Sequence, residues 1–270
     1  MKTLNVAVGG LGAIGLRLAQ ELDRGGIAGL TLAAVSARDP GKAAEKLAGL
    51  SRKPEMLPIE KLAEVADVVV ECVPARHFRQ IAAPTVERGR IFVPLSVGQL
   101  IEHMDLVDRA ASTGARIMVP TGALLGLDAV RAAAEGTIAS ASIVTRKPPK
   151  GLAGAPLLVA KGIDVGSLEE PVQVFRGSAR EAIKGFPANV NVAVALALAG
   201  IGPDRTTVEI WADPGVERNT HTISIVSDSS DFTMTIAGRP TVENPATGRI
   251  TAQSVIALLR RLSSPLVVGS

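Results

Sequence analysis

Short apolar runs alternate with amphipathic segments through the first half of the chain. LNVAVGG (4–10), LTLAAVS (30–36), DVVVECV (67–73), RIFVPLS (90–96) and RIMVP (116–120) are near-continuous apolar runs of strand length, the pattern of strands buried on both faces. Between them, 13–24, 41–50, 77–88 and 98–113 carry apolar residues at helical spacing. Strands alternating with helices in this way form parallel βαβ units, so the pattern predicts an α/β protein with a doubly wound parallel sheet at its N-terminal end.

The texture changes after Pro120. A helix is expected near 126–135 and a strand at SASIVTR (140–146), followed by KPPKGLAGAP (147–156), whose glycine and proline content only a loop tolerates. Helix signals return at 178–186 and at PANVNVAVALALAG (187–200), where Pro187 suits a first helical turn and Gly200 a stop. The latter is apolar nearly all round, which places it in the interior. TTVEIWA (206–212), THTISIV (220–226) and FTMTIAG (232–238) follow one another closely enough to be expected to pair antiparallel. The final helix, TGRITAQSVIALLRRL (247–262), opens on a capping threonine and is expected to return to the first domain. The domains expected are therefore 1–120 with 247–270, and 121–246, the second an α+β unit with its own mixed or antiparallel sheet.

Composition narrows the function classes. The chain has 270 residues, enough for two domains, and is 47% hydrophobic and 20% charged, an ordinary soluble balance. Aromatic residues make up 2%, too few for a base-stacking platform, and the net charge of +3 is scattered rather than gathered in runs, so no nucleic-acid partner is expected. No eighteen-residue apolar window or signal-like segment occurs, so no membrane association is expected. One cysteine, Cys72, excludes an internal disulfide and a cysteine-cluster metal site, and a cytoplasmic location is expected.

GGLGAIG lies between the first strand and helix and gives Gly10-x-Gly12-x-x-Gly15, with Ala13 and Ile14 before the third glycine. The first two glycines allow a tight turn and close approach of a pyrophosphate, the third lets the helix pack on the strand, and the helix N-terminus faces the phosphate charge. This predicts a Rossmann dinucleotide site. NAD-dedicated sites place an acid at the end of the second strand, about 20 residues further on. That position reads Ser36-Ala37-Arg38-Asp39. Ser36 and Arg38 suit a 2′-phosphate, which favours NADP or use of both cofactors. Asp39 keeps NAD open, either reaching back to the ribose or beginning the Asp39-Pro40 turn, and Arg38 can equally be a solvated surface arginine.

The second candidate feature is ADPGVERNTHTISIV, 212–226. Strand alternation puts Asn219, His221, Ile223 and Ile225 on one face, so His221 looks inward. Two readings are open: a core histidine satisfied by a neighbour, or a catalytic base. His77 reads as a helix-start residue and His103 as a solvated one.

Several stretches resemble the L-aspartate dehydrogenase family: GSAREAIKGFPANVNVAVALALAGIGPDRTTVEIWADPGVERNTHTI (177–223), LSVGQL (95–100), PTGALLGLDAV (120–130) and TRKPPKGLAGAP (145–156). The resemblance runs through most of the chain. It implies a Rossmann domain plus a catalytic domain, usually in a homodimer, and NAD(P)-dependent oxidation of L-aspartate to iminosuccinate, which yields oxaloacetate and ammonia or feeds NAD biosynthesis. It implies that His221 is the active-site histidine and that Ala123 and Asn189 join the glycine loop in holding cofactor. Asn219 on the same strand face is placed to fix the His221 ring. The two substrate carboxylates need cations, and Arg146, Lys147, Arg180, Lys184 and Arg218 lie in the matched stretches, Lys147 being the favoured one. The chain departs from the family's more usual SGAIGGLDA at Leu125, a change that narrows that loop. Sugar and polyol dehydrogenases of similar architecture carry Glu-Lys-Pro after the strand that here reads RIFVPLS, and dihydrodipicolinate reductases carry paired histidines near a lysine; both features are missing from the sequence. Another oxidoreductase acting on a related amino or hydroxy acid, or a non-catalytic NADP(H) sensor, are the alternatives. No metal is expected.

Overall fold

The computed structural model describes residues 3–187, 190–241 and 247–269. The chain divides into two units, Met1–Gly122 with Thr251–Val267, and Ala123–Ile250 with Val268–Ser270.

The first unit holds β1 (Leu4–Gly9), α1 (Ala13–Asp23), β2 (Leu30–Ser36), α2 (Pro40–Leu47), β3 (Glu55–Met56), α3 (Leu62–Val65), β4 (Val68–Glu71), α4 (Phe78–Glu87), β5 (Ile91–Pro94), α5 (Val97–Glu102), α6 (Asp105–Thr113) and β6 (Arg116–Ile117). Its six strands run parallel in the order β3-β2-β1-β4-β5-β6. Alternate strand residues serve two buried layers. Val6, Val8, Val68 and Val70 pack with Leu18 and Leu22 of α1, while Ala7, Val69 and Phe92 pack with Phe78 and Ile81 of α4. Burial on both faces is why these strands read as continuous apolar runs. The C-terminal helix α11 (Arg249–Arg261) adds Val255, Leu258 and Leu259 to the first layer.

Two local features depart from the sequence pattern. The segment 98–113 is two helices, because His103 leaves the helical region (φ −129°, ψ 42°) and stacks its ring on Phe78 at 5.7 Å. His103 is thus half-buried against an aromatic ring rather than solvated. The strand β3 is two residues long, too short to leave a periodic signature, and is fixed by pairing with Ala34 and Val35.

The second unit holds α7 (Leu127–Ala134), β7 (Ile138–Lys147), α8 (Pro156–Ala160), β8 (Val172–Ser178), α9 (Ala179–Gly185), α10 (Asn191–Ala199), β9 (Thr206–Ala212), β10 (Thr220–Ser227) and β11 (Asp231–Ala237). The five-stranded sheet has the order β11-β10-β7-β9-β8 and is mixed. The expected antiparallel pair β10–β11 forms, but β9 and β10 are not neighbours: β7 lies between them, parallel to β9 and antiparallel to β10. The seven residues 213–219 are ample to step over one strand, a gap of roughly 10 Å at the usual strand spacing. Close succession in sequence therefore did not decide the pairing. The edge strand β8 leaves no alternating pattern in the sequence, because Val174 is its one buried residue and Val172, Gln173 and Arg176 are exposed. The helix α10 starts at Asn191 rather than at Pro187, which sits in a turn, and its Val192, Val194 and Leu196 are buried as its all-round apolar character requires.

Candidate active site

The glycine loop closes β1 onto α1. Gly10 has φ +95° and donates its N–H to the Ser36 carbonyl at 2.8 Å, and a Cβ there would sit 2.5 Å from the Cys72 carbonyl oxygen. A Cβ on Gly15 would overlap the Gly10 carbonyl oxygen, so α1 packs against the loop only with glycine there. Gly12 is different, since a Cβ on it would meet no atom within 4 Å. It caps α1 without a side-chain acceptor, and the first turn carries no acid. The amides of Ala13 and Ile14 therefore open the helix beside an unfilled space, the arrangement a phosphate anion requires. These residues fit a dinucleotide. Lys46, a cation the sequence analysis did not single out, reaches from α2 to donate to the Leu11 carbonyl at 3.0 Å, adding positive charge beside the loop.

At the end of β2, Ser36 is buried and Arg38 exposed. Asp39 is the N-cap of α2, accepting from the Lys42 amide at 3.1 Å with Pro40 in the first turn. Its carboxylate is thereby occupied in a helix cap, the second of the two roles open to it in sequence.

In the second unit, His221 is 5% exposed on β10. The register sets it opposite Thr145 of β7, and Thr145 Oγ1 and His221 Nδ1 share a hydrogen bond of 2.9 Å. The ring's partner is thus Thr145, not Asn219. Asn219 precedes β10, and its backbone carbonyl accepts from Gly238 at 2.9 Å. Lys147 lies two residues beyond Thr145 on the same buried face and is 7% exposed. Burial lowers the Lys147 ammonium from 10.5 to about 8. Burial first, then the charge of Lys147, lowers the His221 imidazole from 6.5 to about 4. At neutral pH the pair is a charged lysine beside a neutral imidazole.

The other candidate cations have different surroundings. Arg146 points to the opposite sheet face, pairs with Asp213 at 2.8 Å and lies over the Trp211 ring at 4.9 Å. Arg180 pairs with Asp204 at 2.6 Å, and Lys184 is exposed on α9. Arg218 lines a cleft of about 350 Å³ with Arg239, Arg249 and Glu217. Ala123 is half-buried in the loop before α7, and Asn189 lies outside the described residues. In that loop Leu124 is fully buried while Leu125 is half-buried. His77 begins α4 and bonds Gln80 at 2.9 Å. Among the described residues no group of three or more His, Cys, Asp or Glu side chains could hold a metal, and no helix is long and apolar enough to cross a membrane.

A parallel sheet with a glycine cradle at the carboxyl end of its first strand, joined to a second unit with a mixed sheet, defines a nicotinamide-dependent oxidoreductase. The profile of the family described as "Homoserine dehydrogenase, NAD binding domain" matches residues 10–120, and that described as "Aspartate dehydrogenase, C-terminal" matches 128–262. An L-aspartate dehydrogenase of Bradyrhizobium diazoefficiens is 57% identical over 99% of this chain and 94% of its own. L-aspartate dehydrogenase 3 of Bordetella bronchiseptica is 55% identical over 99% and 98%. The crystal structure of an aspartate dehydrogenase from Thermotoga maritima shares the fold, with a TM-score of 0.73 at 23% identity over 98% of this chain and 99% of that one. The chain belongs to the L-aspartate dehydrogenase family.

Proposed function

We propose that the protein oxidises L-aspartate at Cα, giving iminosuccinate, and that water then converts the imine to oxaloacetate and ammonia. The observation that carries this reading is the buried triad of Thr145, His221 and Lys147, an imidazole and an ammonium on one face of a sheet in a chain of this family. The nicotinamide, when bound, supplies the hydride acceptor. Gly10, Gly12, Gly15 and the amides of Ala13 and Ile14 would hold its pyrophosphate, with Ala123 and Asn189 as further contacts.

Lys147 binds a substrate carboxylate. Its ammonium, buried beside His221 and charged at neutral pH, supplies the counter-charge that a carboxylate needs. Carboxylate binding also neutralises the charge that helps to depress His221. The imidazole thus regains proton affinity when substrate arrives. With Nδ1–H donating to Thr145 Oγ1, Nε2 carries the lone pair that accepts a proton from the attacking water as it adds to the imine carbon. The imidazolium returns that proton to the nitrogen, and the carbinolamine hydroxyl gives up its own proton as the C–N bond breaks, leaving oxaloacetate and ammonia. Asn219 at the head of β10 is a weaker substrate contact.

For the cofactor we favour NADP or dual use, supported by the helix-capping role of Asp39 and by Arg38 and Lys46 near the end of β2 and the loop. Iminosuccinate drawn off before hydrolysis would supply NAD biosynthesis. We further propose a cytoplasmic homodimer in which Met1–Gly122 with Thr251–Val267 binds cofactor and Ala123–Ile250 binds substrate. The test is the initial rate of NAD(P)H formation with L-aspartate, using each cofactor separately, for wild type and His221→Ala. The expected result is aspartate-dependent turnover that collapses in the variant while cofactor binding, measured by calorimetry, persists. Full turnover in His221→Ala would remove the histidine from the mechanism.

A further inference from the structure

Glu71 is a charged residue in the middle of the first unit's interior. It ends β4, between β1 and β5, and is 0% exposed. A buried carboxylate is costly unless hydrogen bonds replace its hydration, and here they come from two separate loops. Oε1 accepts from the Val73 amide at 3.1 Å and from the Ser96 hydroxyl at 3.1 Å. Oε2 accepts from the Leu95 amide at 3.0 Å and the Ser96 amide at 2.8 Å. Three of the four donors are backbone amides, which cannot turn away; burial raises the carboxyl above its ordinary range, and these hydrogen bonds pull it back down. One carboxylate thereby ties the turn after β4 to the turn after β5.

The turn after β4 is also the floor of the glycine loop. The Cys72 amide donates to the Gly9 carbonyl at 2.8 Å, and the Cys72 carbonyl lies so close beneath Gly10 that no Cβ could be inserted. Val73, whose amide Glu71 holds, is the next residue. An unbroken chain of contacts therefore runs from Ser96, at the start of α5, through Glu71 to Cys72–Val73 and on to Gly10. This is the point in the sheet where β1 and β4 diverge, the switch point at which open α/β sheets bind their ligands.

We propose that Glu71 is a positioning residue for the cofactor, holding the β4 and β5 turns so that the glycine loop keeps the backbone geometry a pyrophosphate requires. This rests on the reading of the first unit as the cofactor-binding unit.

The test is calorimetric titration of NAD and NADP into wild type, Glu71→Gln, Glu71→Asp and Ser96→Ala, alongside steady-state rates and melting curves. In Glu71→Gln the shape is kept, but either amide orientation sets its NH2 against at least one backbone N–H. The expected result is a Kd for cofactor raised about tenfold, with KM for L-aspartate unchanged. Glu71→Asp, too short to reach both turns, should weaken binding similarly. Ser96→Ala, which keeps the three amide donors, should weaken it about two- to threefold and decides the matter if the Glu71 variants do not fold. Cofactor affinity within twofold of wild type in folded Glu71→Gln, or unchanged affinity in Ser96→Ala where neither Glu71 variant folds, would overturn the proposal even if the melting temperature fell. Failure of the wild type itself to bind either cofactor would instead overturn the assignment of the first unit.

Discussion

Thr145 Oγ1 and His221 Nδ1 lie 2.9 Å apart across the β7–β10 pair, where the register sets the two residues directly opposite each other. The contact engages Nδ1 and fixes the ring plane.

Thr145→Val keeps the side-chain shape and removes the oxygen. A neutral hydrogen bond of this kind contributes about 1 kcal/mol, so kcat should fall about fivefold while the calorimetric affinity for cofactor stays at the wild-type value. An unchanged kcat would show that the ring needs no anchor.

The Lys147 ammonium, lowered to about 8 by burial, must be charged to bind a carboxylate. KM for L-aspartate should therefore rise as pH passes upward through about 8, with kcat less affected. Lys147→Met should abolish that limb and raise KM at every pH below it. The same variant removes a positive charge beside His221, so the imidazole should titrate higher than about 4, which NMR of the histidine ring would show directly.

Folding stability should fall with acid. The imidazole titrates near 6.5 when unfolded and at about 4 in the fold, so the folded form binds the proton less readily. The resulting stability is fully present above 6.5 and lost as pH falls through about 4, a change of roughly 3 kcal/mol. Chemical denaturation of wild type and His221→Asn between pH 7 and 4 measures it. The variant should lose less stability across that window than wild type does.

If the proposed NADP preference holds, Arg38→Ala should lower kcat/KM for NADP about tenfold and leave that for NAD nearly unchanged, because the exposed guanidinium just beyond β2 would pair with a 2′-phosphate. Values of kcat/KM unchanged for both cofactors would show a solvated arginine that acts on neither, and equal losses would show a contact common to both.

Legibility in sequence followed locality. The glycine loop could be read because strand, turn and helix are contiguous, and the steric demands on Gly10 and Gly15 arise within a few residues or from the adjoining strand. The inward face of His221 could be read because strand alternation is a local property, and Ile223 and Ile225 are buried with it. Its partner could not, since Thr145 is 76 residues away and reaches it only through a strand inserted between β9 and β10. Glu71 left a visible trace as an acid at the end of the apolar run after Asp67 in DVVVECV, but four donors from two turns had to be assembled before the trace had a meaning.

What the sequence by itself determined was the set of parts: the parallel βαβ rhythm, the phosphate loop, an inward histidine and a cation in RKPP. Hydrophobic period and glycine sterics act over a few residues, so they are written in order along the chain. The tertiary structure decided the assembly. It chose Thr145 over Asn219 as the ring's partner, drew Lys147 onto the same buried face, and assigned Asp39 to a helix cap. Strand order and desolvation are properties of neighbours in space, and these neighbours are set by which strands pair rather than by which residues follow one another.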